Sequence, residues 1–167
     1  YTYANQSKEV TITVKADQAT LEAKDSIIYT GDKWKAEDNF ISATDKAGKT
    51  IDFKKIKVEG TVDTTKAGDY DITYSYSGVT RSTELSKTIT VTVKKNQANL
   101  EAKDSTLYEG DKWIATDNFV SATDKDGNTV NFKAIEVKGT VDTKKAGTYK
   151  ITYSYAGISK TITVTVL

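Results

Sequence analysis

The chain has 167 residues, with 24 Lys plus Arg against 23 Asp plus Glu and a formal net charge of +1, a length that suits one ordinary domain or two small ones. So even a balance supplies no broad basic face for a phosphate backbone, which argues against nucleic-acid binding, and no apolar run approaches the roughly 18 residues of a membrane helix. Cys, His, Met and Pro are all absent, which excludes the usual zinc sites, imidazole-ligated haem, thiol nucleophiles and Ser-His-Asp or Cys-His relays.

The first residues already have strand character. In YTYANQSKEVTITV, Tyr1 to Val14, the residues Val10, Ile12 and Val14 alternate with polar neighbours and define an apolar face. The same segment aligns with YSYAGISKTITVTV, Tyr153 to Val166. Residues 1–17 are therefore expected to be the closing hairpin of a preceding repeat plus a polar seam, Lys15-Ala16-Asp17. The chain is accordingly expected to be a piece of a longer polypeptide, with signal peptide and anchor outside it. A lone hairpin is marginal in water, so this one is expected to be the least stable element of the chain.

From Gln18 onward the sequence repeats itself. QATLEAKDSIIYTGDKW, Gln18 to Trp34, recurs as QANLEAKDSTLYEGDKW, Gln97 to Trp113, at an offset of 79; the register holds to Val79 and Ile158, with 43 of 62 pairs identical. SKTITVTV, Ser86 to Val93, then equals Ser159 to Val166 at an offset of 73. The difference is the insertion TRSTEL, Thr80 to Leu85, expected to be a surface loop. Two full repeats result, 18–94 and 95–167, each expected to have the other as its neighbour in the chain. The seam Lys94-Lys95-Asn96 lacks the length and Gly/Ser content of a floppy tether. The first repeat carries 12 cations and 12 anions and the second 10 and 9, so neither is polarised toward an ionic partner.

Within each repeat short alternating runs follow one another: LEAKD, SIIYT, FISATD, TIDF and KIKVEGTVD in the first copy. Asp32 to Asn39 is the one stretch with helical potential. A Tyr-rich run comes next, Tyr70, Ile72, Tyr74 and Tyr76, matched by Tyr149, Ile151, Tyr153 and Tyr155. In the closing run Ile89, Val91 and Val93 face one way and Thr88, Thr90 and Thr92 the other. Gly48 and Gly127, in Lys46-Ala47-Gly48-Lys49 and Lys125-Asp126-Gly127-Asn128, sit where a hairpin turn needs positive φ. About seven short strands per copy predict an all-β chain of tandem immunoglobulin-like β-sandwiches. The spacing G-x-Y-x-I at Gly68, Tyr70 and Ile72, repeated at Gly147, Tyr149 and Ile151, is that of a tyrosine corner, with Ile where an antibody domain keeps its second Cys.

The ensemble of Y-x-G-D-x-W (Tyr29 to Trp34), DNF-x-SATD-x-x-G (Asp38 to Gly48), V-x-G-T-V-D-T (Val58 to Thr64), K-A-G-x-Y-x-I-T-Y-S-Y and the closing T-I-T-V-T-V resembles the bacterial Ig-like repeats of group 3 type. Those repeats occur in tandem on surface proteins of Listeria and related Gram-positive bacteria. The resemblance implies an extracellular, cell-wall-associated module that spaces or presents other domains. Two sandwiches in line, each about 35 to 40 Å long, would extend a distal domain by about 70 to 80 Å. The alternative is an adhesin module that binds a host protein or glycan.

Each candidate site has a structural reading beside its functional one. Asp124-Lys125-Asp126-Gly127-Asn128 resembles the start of a calcium loop, but Asp45-Lys46-Ala47-Gly48-Lys49 lacks two of its oxygens and no bidentate Glu follows in either copy, so a hairpin turn is expected and no metal. Trp34 and Trp113 would suit a sugar-stacking platform; in so small a domain without disulfides they are expected to serve packing instead. The inner Tyr residues are expected in the core with their hydroxyls at its rim. No trio of Lys, Asn or Asp and carboxylate is singled out for an isopeptide bond. Asp and Glu fall mostly on turns and outward positions, without the paired carboxylates of a glycosidase. No catalytic residue, cofactor or metal is therefore assigned, and the chain is read as no enzyme.

Overall fold

The structure, a computed structural model, describes residues 2–3, 6–77 and 84–167. It is all-β with short 3-10 turns and, among the described residues, no α-helix. The chain divides into two compact units, Tyr1–Ile27, Lys33–Asp63 and Gly68–Thr92 forming one, and Ile28–Asp32, Thr64–Ala67 and Val93–Leu167 the other.

The N-terminal segment forms a small antiparallel hairpin, β1 (Thr2–Tyr3) with β2 (Gln6–Ser7), pairing Thr2 with Ser7 and Tyr3 with Gln6. Residues 8–19 form no strand, and Val10, Ile12 and Val14 are 62%, 84% and 90% exposed.

The first repeat contains β3 (Thr20–Ala23), β4 (Ser26–Tyr29), β5 (Phe40–Thr44), β6 (Lys57–Glu59), β7 (Gly68–Ser77) and β8 (Glu84–Lys94). β3 and β5 make a two-stranded antiparallel sheet, and the other four make a second sheet in the order β4-β8-β7-β6. The second repeat follows the same plan with β9 (Asn99–Ala102), β10 (Ser105–Leu107), β11 (Phe119–Thr123), β12 (Glu136–Lys138), β13 (Gly147–Tyr155) and β14 (Ile158–Val166). Here β9 pairs with β11, and β10-β14-β13-β12 form the larger sheet, with β10 parallel to β14.

The period-2 pattern of the closing strands decides their faces. Ile89, Val91 and Val93 are buried, as are Ile162, Val164 and Val166, while the intervening threonines face outward. Each such side chain contributes about 1.5–3 kcal/mol when fully buried. The core lies between the two sheets. In the second repeat Leu100 and Ala122 of the small sheet meet Ile151, Tyr153, Ile162 and Val164 of the large one. In the first, Phe40 of β5 lies 6.5 Å from the Tyr74 ring of β7 and 5.1 Å from Phe53.

Six strands per repeat, rather than seven, are present among the described residues, because TIDF is not a strand. Thr50 makes a single bridge to Thr44, and Phe53–Lys55 turns into a 3-10 helix whose first turn is capped by Asp52, its side chain accepting from the Lys54 N–H. A capping carboxylate offers the backbone a better local partner than a strand would. Asn131 does the same for Phe132–Ala134. The helical potential of Asp32 to Asn39 reduces to one 3-10 turn, Ala36–Asn39. Of the insertion TRSTEL, residues 80–83 lie outside the described residues, and Glu84 and Leu85 are not loop but the opening of β8.

Candidate functional site

The residues with the most distinctive chemistry are tied into the fold, and at matching places in the two repeats. Asp45 Oδ1 accepts the N–H groups of Ala47 and Lys49, both at 2.9 Å, and Asp124 Oδ1 accepts those of Asp126 and Asn128, also at 2.9 Å. Gly48 and Gly127 take φ of 78° and 84° to close these turns. The backbone N–H of Asn128, helped by its side-chain amide and the Asp126 N–H, holds the Asp124 carboxyl below the usual aspartate range. What resembles a calcium loop is thus a self-bonded hairpin turn. Among the described residues no group of three or more Asp or Glu is placed to hold a metal ion.

The motif Y-x-G-D-x-W has a similar explanation. Asp32 Oδ2 accepts the Tyr29 N–H and Asp111 Oδ2 the Tyr108 N–H, each at 2.8 Å, closing a turn through Gly31 or Gly110 at φ near 90°. The tryptophans that follow are half-buried, and Trp113 packs against the core of its repeat. Each indole N–H donates to an asparagine at 2.7 Å, Trp34 to Asn39 and Trp113 to Asn118. Both asparagines are fully buried, and their amides donate at 2.7 Å to the carbonyls of Lys24 and Lys103. This places the Trp residues at the core margin rather than on an open platform. The asparagines were not singled out in the sequence, although the Trp-x4-Asn spacing recurs in both copies and signals a paired polar hub.

The tyrosines divide by depth. Tyr74 and Tyr153 are 0% exposed, and their hydroxyls donate to the carbonyls of Ala36 at 2.6 Å and Ala115 at 2.7 Å. Burial, with a smaller contribution from the charge of Asp38 or Asp117, pushes both phenols above the ordinary tyrosine range. Tyr149 donates at 2.8 Å to the carbonyl of Lys145, four residues upstream, which is the tyrosine-corner bond its spacing predicts.

The outer faces of the larger sheets are covered by hydroxyl and carboxylate groups that bond to one another: Thr73 with Thr88, Thr152 with Thr161, Thr90 to Asp71 and Thr92 to Asp69. A shallow open depression lies beside Asp25, Ser26, Ile27, Thr90 and Thr92. Its carboxylate, Asp25, accepts the Thr90 N–H at 2.9 Å, as Asp104 accepts the Thr163 N–H at 2.8 Å. No helix among the described residues is long and apolar enough to cross a membrane.

Two-sheet repeats in series, with their polar groups spent on turns and caps, define a tandem Ig-like protein. The chain belongs to the family described as bacterial Ig-like domain (group 3), whose model matches residues 21–93 and 100–166, and that family is not a catalytic one. No curated protein matched. Among solved structures the chain is similar to the M60 catalytic domain with CBM51 domains of Clostridium perfringens ZmpB, at 11% identity and TM-score 0.41, covering 93% of this chain and 31% of that one. It is also similar to the lipoprotein BT2262 of Bacteroides thetaiotaomicron, at 15% identity and TM-score 0.40, covering 86% of this chain and 96% of that one. A further similarity is to domains 4 and 5 of the S-layer protein SbsC, at 16% identity and TM-score 0.35, covering 93% and 100%.

Proposed function

We propose that the chain is a non-catalytic stalk or spacer module of an extracellular, cell-wall-associated bacterial surface protein, one that presents a distal domain. The observation that carries this reading is the commitment of the distinctive polar groups, in both repeats, to the backbone of their own fold. A catalytic or binding group must keep a donor, an acceptor or a charge for its ligand; Asp45, Asp124, Asn39, Asn118, Tyr74 and Tyr153 spend theirs internally. The parallel pairing of β10 with β14, Ser105 with Val164 through Leu107 with Val166, supports a mechanical role. Those strands lie near opposite ends of the second repeat's sequence, so a pull on its ends loads their hydrogen bonds together in shear instead of opening them one at a time. Thr2–Tyr3 and Gln6–Ser7 are consistent with the repeat pattern, because their Thr2–Ser7 and Tyr3–Gln6 register reproduces Ser154–Ser159 and Tyr155–Ile158 at the turn end of the β13–β14 hairpin.

The test has two parts. Pulling the chain by its ends should give discrete unfolding events at forces characteristic of sheared strands. A glycan and host-protein array probed with the same chain at high concentration should stay silent. Saturable binding to one glycan or protein, abolished by a surface substitution that leaves the fold intact, would replace the spacer by an adhesin module.

A further inference from the structure

The two repeats differ in a patterned way at one place. β6 and β12 lie at the edges of their four-stranded sheets, and among the described residues no strand pairs beyond them. Such an edge offers unpaired backbone groups to any strand that meets it. β6 reads Lys57-Val58-Glu59 and β12 reads Glu136-Val137-Lys138: the central Val is kept and the two charges are interchanged. In both strands the charged pair is exposed and joined along the strand, Lys57 Nζ to Glu59 Oε1 at 2.6 Å and Lys138 Nζ to Glu136 Oε1 at 3.3 Å, while the Val is half-buried.

Residues directly opposite one another on antiparallel strands share a face, and their charges interact. When β6 meets a second β6 about Val58, Lys57 of each copy stands opposite Glu59 of the other, twice over. β12 against β12 about Val137 gives the same two favourable pairs. β6 against β12 in that register sets Lys57 opposite Lys138 and Glu59 opposite Glu136, two like-charge contacts. Slipping a like pair by two residues sets Lys against Lys or Glu against Glu, and slipping by one turns the side chains to the wrong face. β6 against β12 slipped by two residues sets one Lys opposite one Glu, Lys57 with Glu136 or Glu59 with Lys138, half of what a like pair makes in the centred register. Charge therefore favours the like pair, centred on its Val, over the other pairings.

We propose that the β6 and β12 edges are self-recognition surfaces, each pairing with the same edge of a second copy of this chain in the antiparallel register centred on Val58 or Val137, with the charge interchange keeping β6 off β12. The proposal does not depend on the spacer role. Each contact is short, and exposed ion pairs contribute little singly, so the association is weak between isolated molecules and gains by repetition where copies are crowded. The same device keeps two near-identical neighbours in one chain from pairing with each other, a characteristic failure of tandem repeats.

The experiment is sedimentation of the full 167-residue chain at low salt over a concentration series reaching the millimolar range. Two edge variants accompany the parent chain: E59K with E136K, giving all-Lys edges, and K57E with K138E, giving all-Glu edges. Control variants carry the same charge changes away from β6 and β12, E37K with E101K and K35E with K103E. Circular dichroism establishes that each variant folds. The parent should self-associate weakly and lose that association in salt. Each edge variant alone should associate about tenfold more weakly, and their equimolar mixture should recover or exceed parental association while the control mixture does not. A parent that stays monomeric throughout, edge variants that associate like the parent, or a control mixture that associates as well as the edge mixture would each overturn the proposal.

Discussion

Asn118 has no exposed surface and holds an indole N–H on one side and the Lys103 carbonyl on the other. Asn118→Ala leaves both without that partner, and unfolding in urea, followed by tryptophan fluorescence, should show a loss of about 2–4 kcal/mol. The serines beside the two hubs separate the repeats more finely. Ser26 Oγ accepts from Asn39 at 2.8 Å, whereas Ser105 Oγ is buried without a hydrogen-bond partner. Ser26→Ala should therefore cost about 1 kcal/mol and Ser105→Ala close to nothing, since an unpaired buried hydroxyl stabilises little. The core tyrosines add a pH dependence. Because the fold raises the phenol pKa of Tyr74 and Tyr153 above 10.0, their contribution is complete below that value and is lost as pH rises past it and through the raised folded value. Thermal unfolding should fall steeply on the alkaline side, and the double variant Y74F/Y153F should flatten that fall.

At the level of elements, the turns are where residue identity is least negotiable. Gly139 follows β12 at φ 109°, and a Cβ there would meet the Lys150 carbonyl oxygen and, at 3.0 Å, Ile151 Cδ1; Gly60 is placed in the same way against Asp71 and Ile72. Gly139→Ala should destabilise its repeat by about 2 kcal/mol or more, read as a lowered urea midpoint. Gly110, at φ 90° with open space around it, should be less costly to replace. The Asp124 turn predicts an acid response. Its depressed carboxyl pKa means that the turn's stabilisation is present above the ordinary aspartate value and fades as pH falls through the depressed one. Protection of the Asn128 amide, taken as exchange relative to the intrinsic rate at each pH, should fall over that window, and Asp124→Ala should abolish that change in protection. The hairpin turns at Gly48 and Gly127 were legible in the sequence because local chemistry requires them, whereas the demand on Gly60 and Gly139 comes from the strand packed against them. TIDF was misread because a side-chain cap from Asp52 competes with strand pairing, and alternation alone does not register that competition.

For the whole molecule, two matching repeats predict two unfolding events under load. Each should release on the order of 200 Å of contour length, the extended length of about 75 residues less the folded span. The Trp-x4-Asn hubs and the interchanged edge charges were visible in the letters, yet their meaning was not. Only the fold puts Asn39 beside both Lys24 and Trp34, and only sheet order places β6 and β12 at an edge.

The sequence by itself determined the repeat, the all-β class, the inward set of the closing strands and the turns, since each follows from spacing or from a local φ requirement. Tertiary structure decided which matching segments become strands at all. Ile162, Val164 and Val166 are 3%, 0% and 2% exposed, while the equivalent Val10, Ile12 and Val14 stay in water. The alternating pattern is the same in both. A strand is completed by backbone partners and an apolar layer from distant parts of the chain, and β14 has β13, β10 and a core beneath it, whereas among the described residues no strand pairs with 8–14.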